Sequence, residues 1–199
     1  KLQLQLAERA EPGPAQAAAF ARLHQRLERA AHLVEQLLAL ARQEPALEER
    51  AIEPVDLAQL AREVVAENDA LAESRGIDLG VEVASATTVR GQRDGLHVML
   101  GNLVANAPRY TPTGGKVDVM VGAEDGRPAL SVVDTGPGIP AAERERVFDR
   151  FHRGEDAAAP GTGLGLAIVK RVAERHRATV RLADGSGGRG LDVRVTFQP

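Results

Sequence analysis

Residues 101–115 read GNLVANAPRYTPTGG, and no other stretch restricts the fold of this chain so much. Asn102 and Asn106 are four apart, so on a helix their amides leave one face, a turn from each other. Pro108 has no amide proton and crowds the carbonyl of Val104, so the helix is expected to end or kink just before it. Arg109, Tyr110 and Thr111 follow where the chain leaves the helix. A carboxamide oxygen is a neutral hard ligand, suited to one position on a Mg²⁺ whose other ligands are waters and phosphate oxygens. Arg109 suits phosphate charge, and Tyr110 offers a flat face to a base or ribose. Taken alone, the same letters also describe a buried helix with two capping or hydrogen-bonded asparagines.

The chain has 199 residues, 43% of them hydrophobic, enough for one sizeable domain plus an appendage. With 28 acidic and 25 basic residues the net charge is −3. That gives no global field to gather nucleic acid or an anionic membrane, so any anion binding is local. The lack of cysteine excludes disulfides, zinc–thiolate sites and thiol nucleophiles together. No apolar run approaches the roughly 18 residues of a membrane span, and no signal peptide is visible. The chain opens on Lys1 inside a helical pattern and reads as a piece of a longer protein.

Residues 2–9 are helix-compatible, and Pro12-Gly13-Pro14 forces a turn. From Ala15 to Gln43, the residues Phe20, Leu23, Leu27, Ala30, Val34, Leu37 and Ala41 recur at three- and four-residue steps, an amphipathic helix with a seam close to a heptad repeat. Residues 1–45 are therefore expected to form a helical hairpin whose stripe is covered by a second copy of the chain. A linker is expected at 46–53 and a second domain at 54–199. Within it the pattern predicts a helix over 55–72 with Asp56 as cap, strands at 77–83 and 87–89, and a helix over 94–107. Strands at 116–121 and 129–133 then flank a turn at Asp125-Gly126. A Gly/Pro/Arg-rich stretch over 135–162 precedes a helix over 164–176 and a closing hairpin of 179–182 with 191–197.

Leu130-Ser131-Val132-Val133 delivers Asp134 to the end of a strand, directly before Thr135-Gly136-Pro137-Gly138. A buried carboxylate there can accept from an exocyclic amine such as that of adenine, and glycines beside it let a flat ring lie against the backbone. Asp-Thr-Gly after an apolar strand also marks aspartic proteases, which need two such carboxylates; this chain has one copy, so a dimer would have to supply the other. Gly161-Thr162-Gly163-Leu164-Gly165-Leu166 opens a helix, whose free amides suit phosphate. The segment lacks the Gly-Lys-Ser/Thr of a P-loop, and Leu166 stands where a dinucleotide fingerprint has its third glycine.

In this order, Asn102-x-x-x-Asn106 with Arg109-Tyr110-Thr111-Pro112, Asp134-x-Gly136-x-Gly138, Phe148-x-x-Phe151 and the glycine-rich run at 161–166 resemble the ATP-binding domain of sensor histidine kinases, the Bergerat-type fold shared with gyrase and MutL. The resemblance spans about 54–199, and the preceding helix is similar to the kinases' dimerisation and phosphotransfer hairpin. It implies an α+β two-layer sandwich, a mixed sheet with helices on one face, and ATP with Mg²⁺ held under a lid. By the same resemblance Asn106 binds the metal, Asn102 stands beside it in the phosphate region, and Asp134 reads adenine. Gly136 and Gly138 admit the base, while Gly163 and Gly165 line the phosphates and hinge the lid. Arg109, Tyr110, Ile139, Arg153, Thr162, Leu164 and Leu166 complete the nucleotide contacts, Thr196 lends a hydroxyl that holds adenine through water, and Phe148 and Phe151 fasten the lid. The implied activity is transfer of the γ-phosphoryl group of ATP to a histidine and onward to an aspartate of a response regulator receiver domain, in the cytoplasmic part of a membrane-anchored homodimer with no nucleic-acid partner. Family acceptor histidines are followed by an acidic residue and, five positions on, by proline; none of His24, His32, His97, His152 or His176 is. A nucleotide-binding dimeric interaction module without catalysis is the alternative of a different class.

Overall fold

The computed structural model describes residues 51–152 and 163–198. The chain divides into two units, Lys1–Glu49 and Arg50–Pro199, of which the second holds all the described residues. The hairpin expected at 1–45 and two of the expected site residues, Arg153 and Thr162, lie outside the described residues.

The second unit begins with a strand that hydrophobic periodicity does not reveal. β1 (Glu53–Asp56) pairs antiparallel with β3 (Thr88–Gly91), Val55 opposite Val89. Only Val55 of the four β1 residues is buried, so the strand has no alternation to read. Asp56 then caps α1 (Leu57–Ser74): its Oδ1 accepts from the amides of Ala58 at 2.8 Å and Gln59 at 3.1 Å, satisfying two of the donors that a helix start leaves open. Leu57, Leu60 and Val64 of α1 are buried together with Ala58 and Ala61.

The core sheet has five strands in the order β2-β4-β5-β7-β6, with β2 (Asp78–Val83) parallel to β4 (Lys116–Glu124) and every other pair antiparallel. β5 is Arg127–Asp134, β6 Ala178–Asp184 and β7 Leu191–Phe197. β4 and β5 join through a two-residue turn at Asp125 and Gly126, with φ of 50° and 74°, the doubly left-handed turn that matches strand twist. Val117, Val119, Val121, Leu130, Val132, Val193, Val195 and Phe197 are buried on one face, and α1, α2 (Arg93–Tyr110) and α3 (Gly165–Arg175) pack there. The opposite face carries Lys116, Asp118, Met120, Glu124, Asp192 and Arg194. This is the mixed two-layer sandwich expected. Among the described residues no helix is long and apolar enough to cross a membrane.

One expectation is corrected. α2 does not stop before Pro108 but runs through it to Tyr110. The proline sits in the last turn, where few later bonds depend on it, and that turn is closed by other donors: the Thr111 amide at 3.0 Å and its Oγ1 at 2.9 Å both donate to Ala107 O.

Candidate functional site

Asp134 ends β5 on the helix-covered face and is 7% exposed. Burial pushes its carboxyl above the usual range, while the amides of Gly136 and Leu191 pull it back. Both amides donate to Oδ1, at 2.8 Å and 3.3 Å, and Oδ2 is the oxygen left for a further donor. Tight backbone packing fixes this end of the strand. A Cβ on Gly136 would lie 2.9 Å from Asp134 Oδ1 and 3.0 Å from Tyr110 O, and one on Gly190 only 1.7 Å from Asp134 O. Gly190 has φ 81°, so both its conformation and the close approach require glycine. Gly138, with φ 77°, sits against Gly190 O, where a Cβ would come within 2.7 Å. Just beyond, Arg144 donates from Nε to Ile139 O at 3.0 Å and pairs through Nη2 with Asp184, tying the loop after Gly138 to the end of β6.

The two asparagines face the start of α3. A Cβ on Gly165 would stand 2.7 Å from Asn106 Nδ2 and 3.4 Å from Asn102 Oδ1, so the helix that begins at Gly165 approaches both amides because that residue has no side chain. Asn102 is partly committed: its Nδ2 donates to Val98 O at 2.7 Å within α2. First-turn amides of α3 have no intrahelical acceptors, and with the oxygens of two carboxamides they form a mixed polar edge suited to anionic oxygens and a cation that they share. Leu164 is fully buried and anchors the entry to the helix, while Leu166 is half-buried.

Arg109 is half-buried and Tyr110 is 42% exposed, both in the last turn of α2, beyond the asparagines. Gly163, with φ 70°, accepts from the Phe151 amide at 3.0 Å, which brings the chain before residue 153 onto the chain after residue 162. The two phenylalanines lie in different settings. Phe148 lies under Lys170 of α3, with Nζ 5.7 Å from the ring centre, whereas Phe151 is 64% exposed and has a left-handed φ of 64°. Phe151 packs its backbone against Gly163, where a Cβ would come within 2.7 Å of Phe151 C, and its ring is turned outward.

Thr196 is elsewhere. Strand residues alternate faces, and Thr196 is five positions from Leu191, whose amide reaches Asp134; its side chain therefore points to the opposite side of the sheet. There its hydroxyl donates to Glu124 Oε2 at 2.7 Å, and Arg194 donates to Glu124 Oε1 at 2.8 Å. A threonine on the last strand is the wrong signal. The residue that does reach the carboxylate from this strand acts through its backbone, the amide of Leu191, while Gly190 just before it packs on the backbone carbonyl of Asp134; the trace of them in the sequence is the glycine run 185–190.

A family model described as histidine kinase-, DNA gyrase B- and HSP90-like ATPase matches residues 91–199. The chain is 38% identical over 192 residues to the sensor protein kinase PmrB of Pseudomonas aeruginosa, a match covering 96% of this chain and 40% of PmrB. It is 32% identical to the sensor protein QseC of Escherichia coli, over 99% of this chain and 43% of QseC. The chain thus spans about 40% of the length of these curated relatives. A solved structure titled as full-length ShkA in complex with AMPPNP is similar with a TM-score of 0.78 and 30% identity, covering 98% of this chain and 41% of that one.

Proposed function

Because this chain belongs to the histidine kinase-, DNA gyrase B- and HSP90-like ATPases, we propose that the site between α2, the end of β5 and the start of α3 holds ATP with Mg²⁺. The observation that carries this reading is Asp134: a buried carboxylate whose two backbone donors both occupy Oδ1, leaving Oδ2 to accept from the adenine amine. Gly136, whose amide holds Asp134 Oδ1, and Gly138 beyond it present no side chain that a planar base lying against the carboxylate would have to clear. Asn106, with the amide beside Gly165, is the residue to hold the metal, which when bound supplies charge neutralisation between phosphate oxygens. The first-turn amides of α3 and Arg109 orient the phosphates, with Arg153 and Thr162 as further contacts, and Tyr110 covers the base or ribose.

The reaction we assign is γ-phosphoryl transfer: the terminal P–O bond of ATP breaks, a P–N bond forms on a histidine, and ADP leaves. None of the five histidines carries the acceptor pattern, so the acceptor is supplied from outside these residues and passes the group to a receiver-domain aspartate. Relatives are named sensor proteins, which supports a place in the cytoplasmic part of a homodimeric, membrane-anchored sensor.

The test is a titration with ATP and Mg²⁺ of the wild type and of Asp134→Asn, which turns an acceptor into a donor facing the amine. The wild type binds, and the variant, folded by circular dichroism, loses about 1–3 kcal/mol of affinity. Incubated with labelled ATP, the chain alone acquires no acid-labile label. Equal affinity in folded Asp134→Asn sinks the base assignment, and label on His24 or His32 sinks the acceptor assignment.

A further inference from the structure

Arg75 directly follows α1 and lies outside the set of residues proposed to touch the nucleotide. Its Nη1 lies 3.2 Å from Pro108 O and, at the limit of a hydrogen bond, 3.5 Å from Arg109 O. These carbonyls belong to the last turn of α2, where no later helical amide reaches them, and a guanidinium there also meets the negative end of the helix dipole. The turn after Arg75 extends the contact. The amide of Gly114 donates to Gly76 O at 2.8 Å, and the amide of Asp78 donates to Gly115 O at 3.0 Å.

The same stretch is held from its other side by the strand end that carries the buried carboxylate. Tyr110 O sits 3.0 Å from where a Cβ on Gly136 would be, and the Lys116 amide donates to Thr135 Oγ1 at 2.9 Å. Residues 108–116 are thus pressed between the turn at Arg75–Asp78 and the segment Asp134–Gly136. Whatever draws the end of α2 toward α1 also sets how far Tyr110 O stands from Gly136, whose amide holds Asp134 Oδ1.

We infer that Arg75 is a positioning residue for base selectivity: its guanidinium, by holding the carbonyls of Pro108 and Arg109, fixes the α2 end against Gly136 and so the aim of Asp134. The inference rests on the reading that ATP lies at this site. It requires that removing the guanidinium alter discrimination between an amine-bearing base and an oxo-bearing one more than it alters general affinity.

The experiment measures dissociation constants for ATP and for GTP, each with Mg²⁺, by calorimetry on the whole chain as wild type, Arg75→Met, Arg75→Lys and Asp134→Asn. Arg75→Met keeps the length of the aliphatic stem and removes the donors. It is expected to weaken ATP binding by about tenfold and GTP binding by less, so the ATP:GTP preference falls. Arg75→Lys, whose ammonium can reach one carbonyl, falls between. A ratio of affinities measured in one preparation cancels any unfolded fraction, and Arg75→Lys decides the matter by the same ratio should the methionine variant not fold. A wild-type ratio in the Arg75 variants, alongside a lost preference in Asp134→Asn, overturns the role of Arg75 and leaves the site standing. Unchanged ATP affinity in Asp134→Asn overturns the site, and the inference with it.

Discussion

Gly165→Ala separates function from folding more cleanly than any change at the carboxylate. The added methyl would stand 2.7 Å from Asn106 Nδ2, 3.4 Å from Asn102 Oδ1 and 3.5 Å from Asn106 Cγ. Comfortable contact begins near 3.5 Å, so the Asn106 amide has to retreat by about 0.8 Å. It can do so by rotation, because the clash is with the far end of a side chain and not with backbone. Alanine also favours the helix over glycine by up to about 1 kcal/mol, so the variant should unfold no more easily than the wild type. Magnesium tolerates far less: it demands near-ideal octahedral geometry at about 2.0–2.1 Å, and a ligand moved by a large part of an ångström is lost. The assay is ATP titration in Mg²⁺ and in EDTA, alongside thermal unfolding without nucleotide. Wild type should bind more tightly in Mg²⁺, while for Gly165→Ala the two curves converge at an unchanged or raised melting temperature. A folded variant that keeps the full Mg²⁺ enhancement would refute the placement of the metal at Asn106. A markedly lower melting temperature would show instead that Gly165 serves packing alone.

His176 and Thr196 give two further expectations. His176 Nε2 accepts from the Gln92 amide at 3.0 Å and its Nδ1 faces Val172 O at 2.8 Å, an arrangement that needs the neutral ring with the proton on Nδ1. Burial, with the nearby Arg175 charge, holds its pKa below the ordinary 6.5 despite the Val172 carbonyl. A lowered histidine pKa stabilises fully above the unfolded value and loses that contribution as pH falls below it, so urea denaturation from about pH 7.5 to pH 5 should show a decline that is shallower in His176→Gln. Equal slopes would remove the ring from the pH response. Thr196→Val forfeits one hydrogen bond to Glu124, which costs about 1 kcal/mol of stability, and leaves ATP affinity unchanged; a several-fold loss of affinity would put Thr196 back at the nucleotide.

Features with a long period are legible in the sequence. The stripes of α1 and α3, the apolar runs of β4, β5 and β7 and the cap at Asp56 follow from side-chain spacing and chemistry that hold whatever the partner. The four ordered motifs supply the fold, since each marks a place where backbone must bend or approach closely. β1 escapes such reading because four residues with one buried position carry no period. The continuation of α2 through Pro108 escapes it because the donors that close its last turn come from Thr111 and Arg75, and Arg75 lies far away in sequence.

The error at Thr196 is of a different kind and follows from what this carboxylate needs. Asp134 is buried, so it requires donors that are themselves fixed, and backbone amides meet that need without a side chain's rotamer freedom. Such donors can come from any residue whose neighbours fold tightly enough, so side-chain identity carries no information about them; Leu191 contributes an N–H that alanine or valine would contribute equally. What the sequence does encode is the permission for close approach, in glycine. Gly190, 1.7 Å from Asp134 O by the position of its absent Cβ, marks the point where β7 meets the end of β5 far more sharply than any hydroxyl on the strand. A search of the sequence for this site's second wall should therefore weigh the glycine before the last strand, with the residue immediately after it as the donor, above polar residues further along.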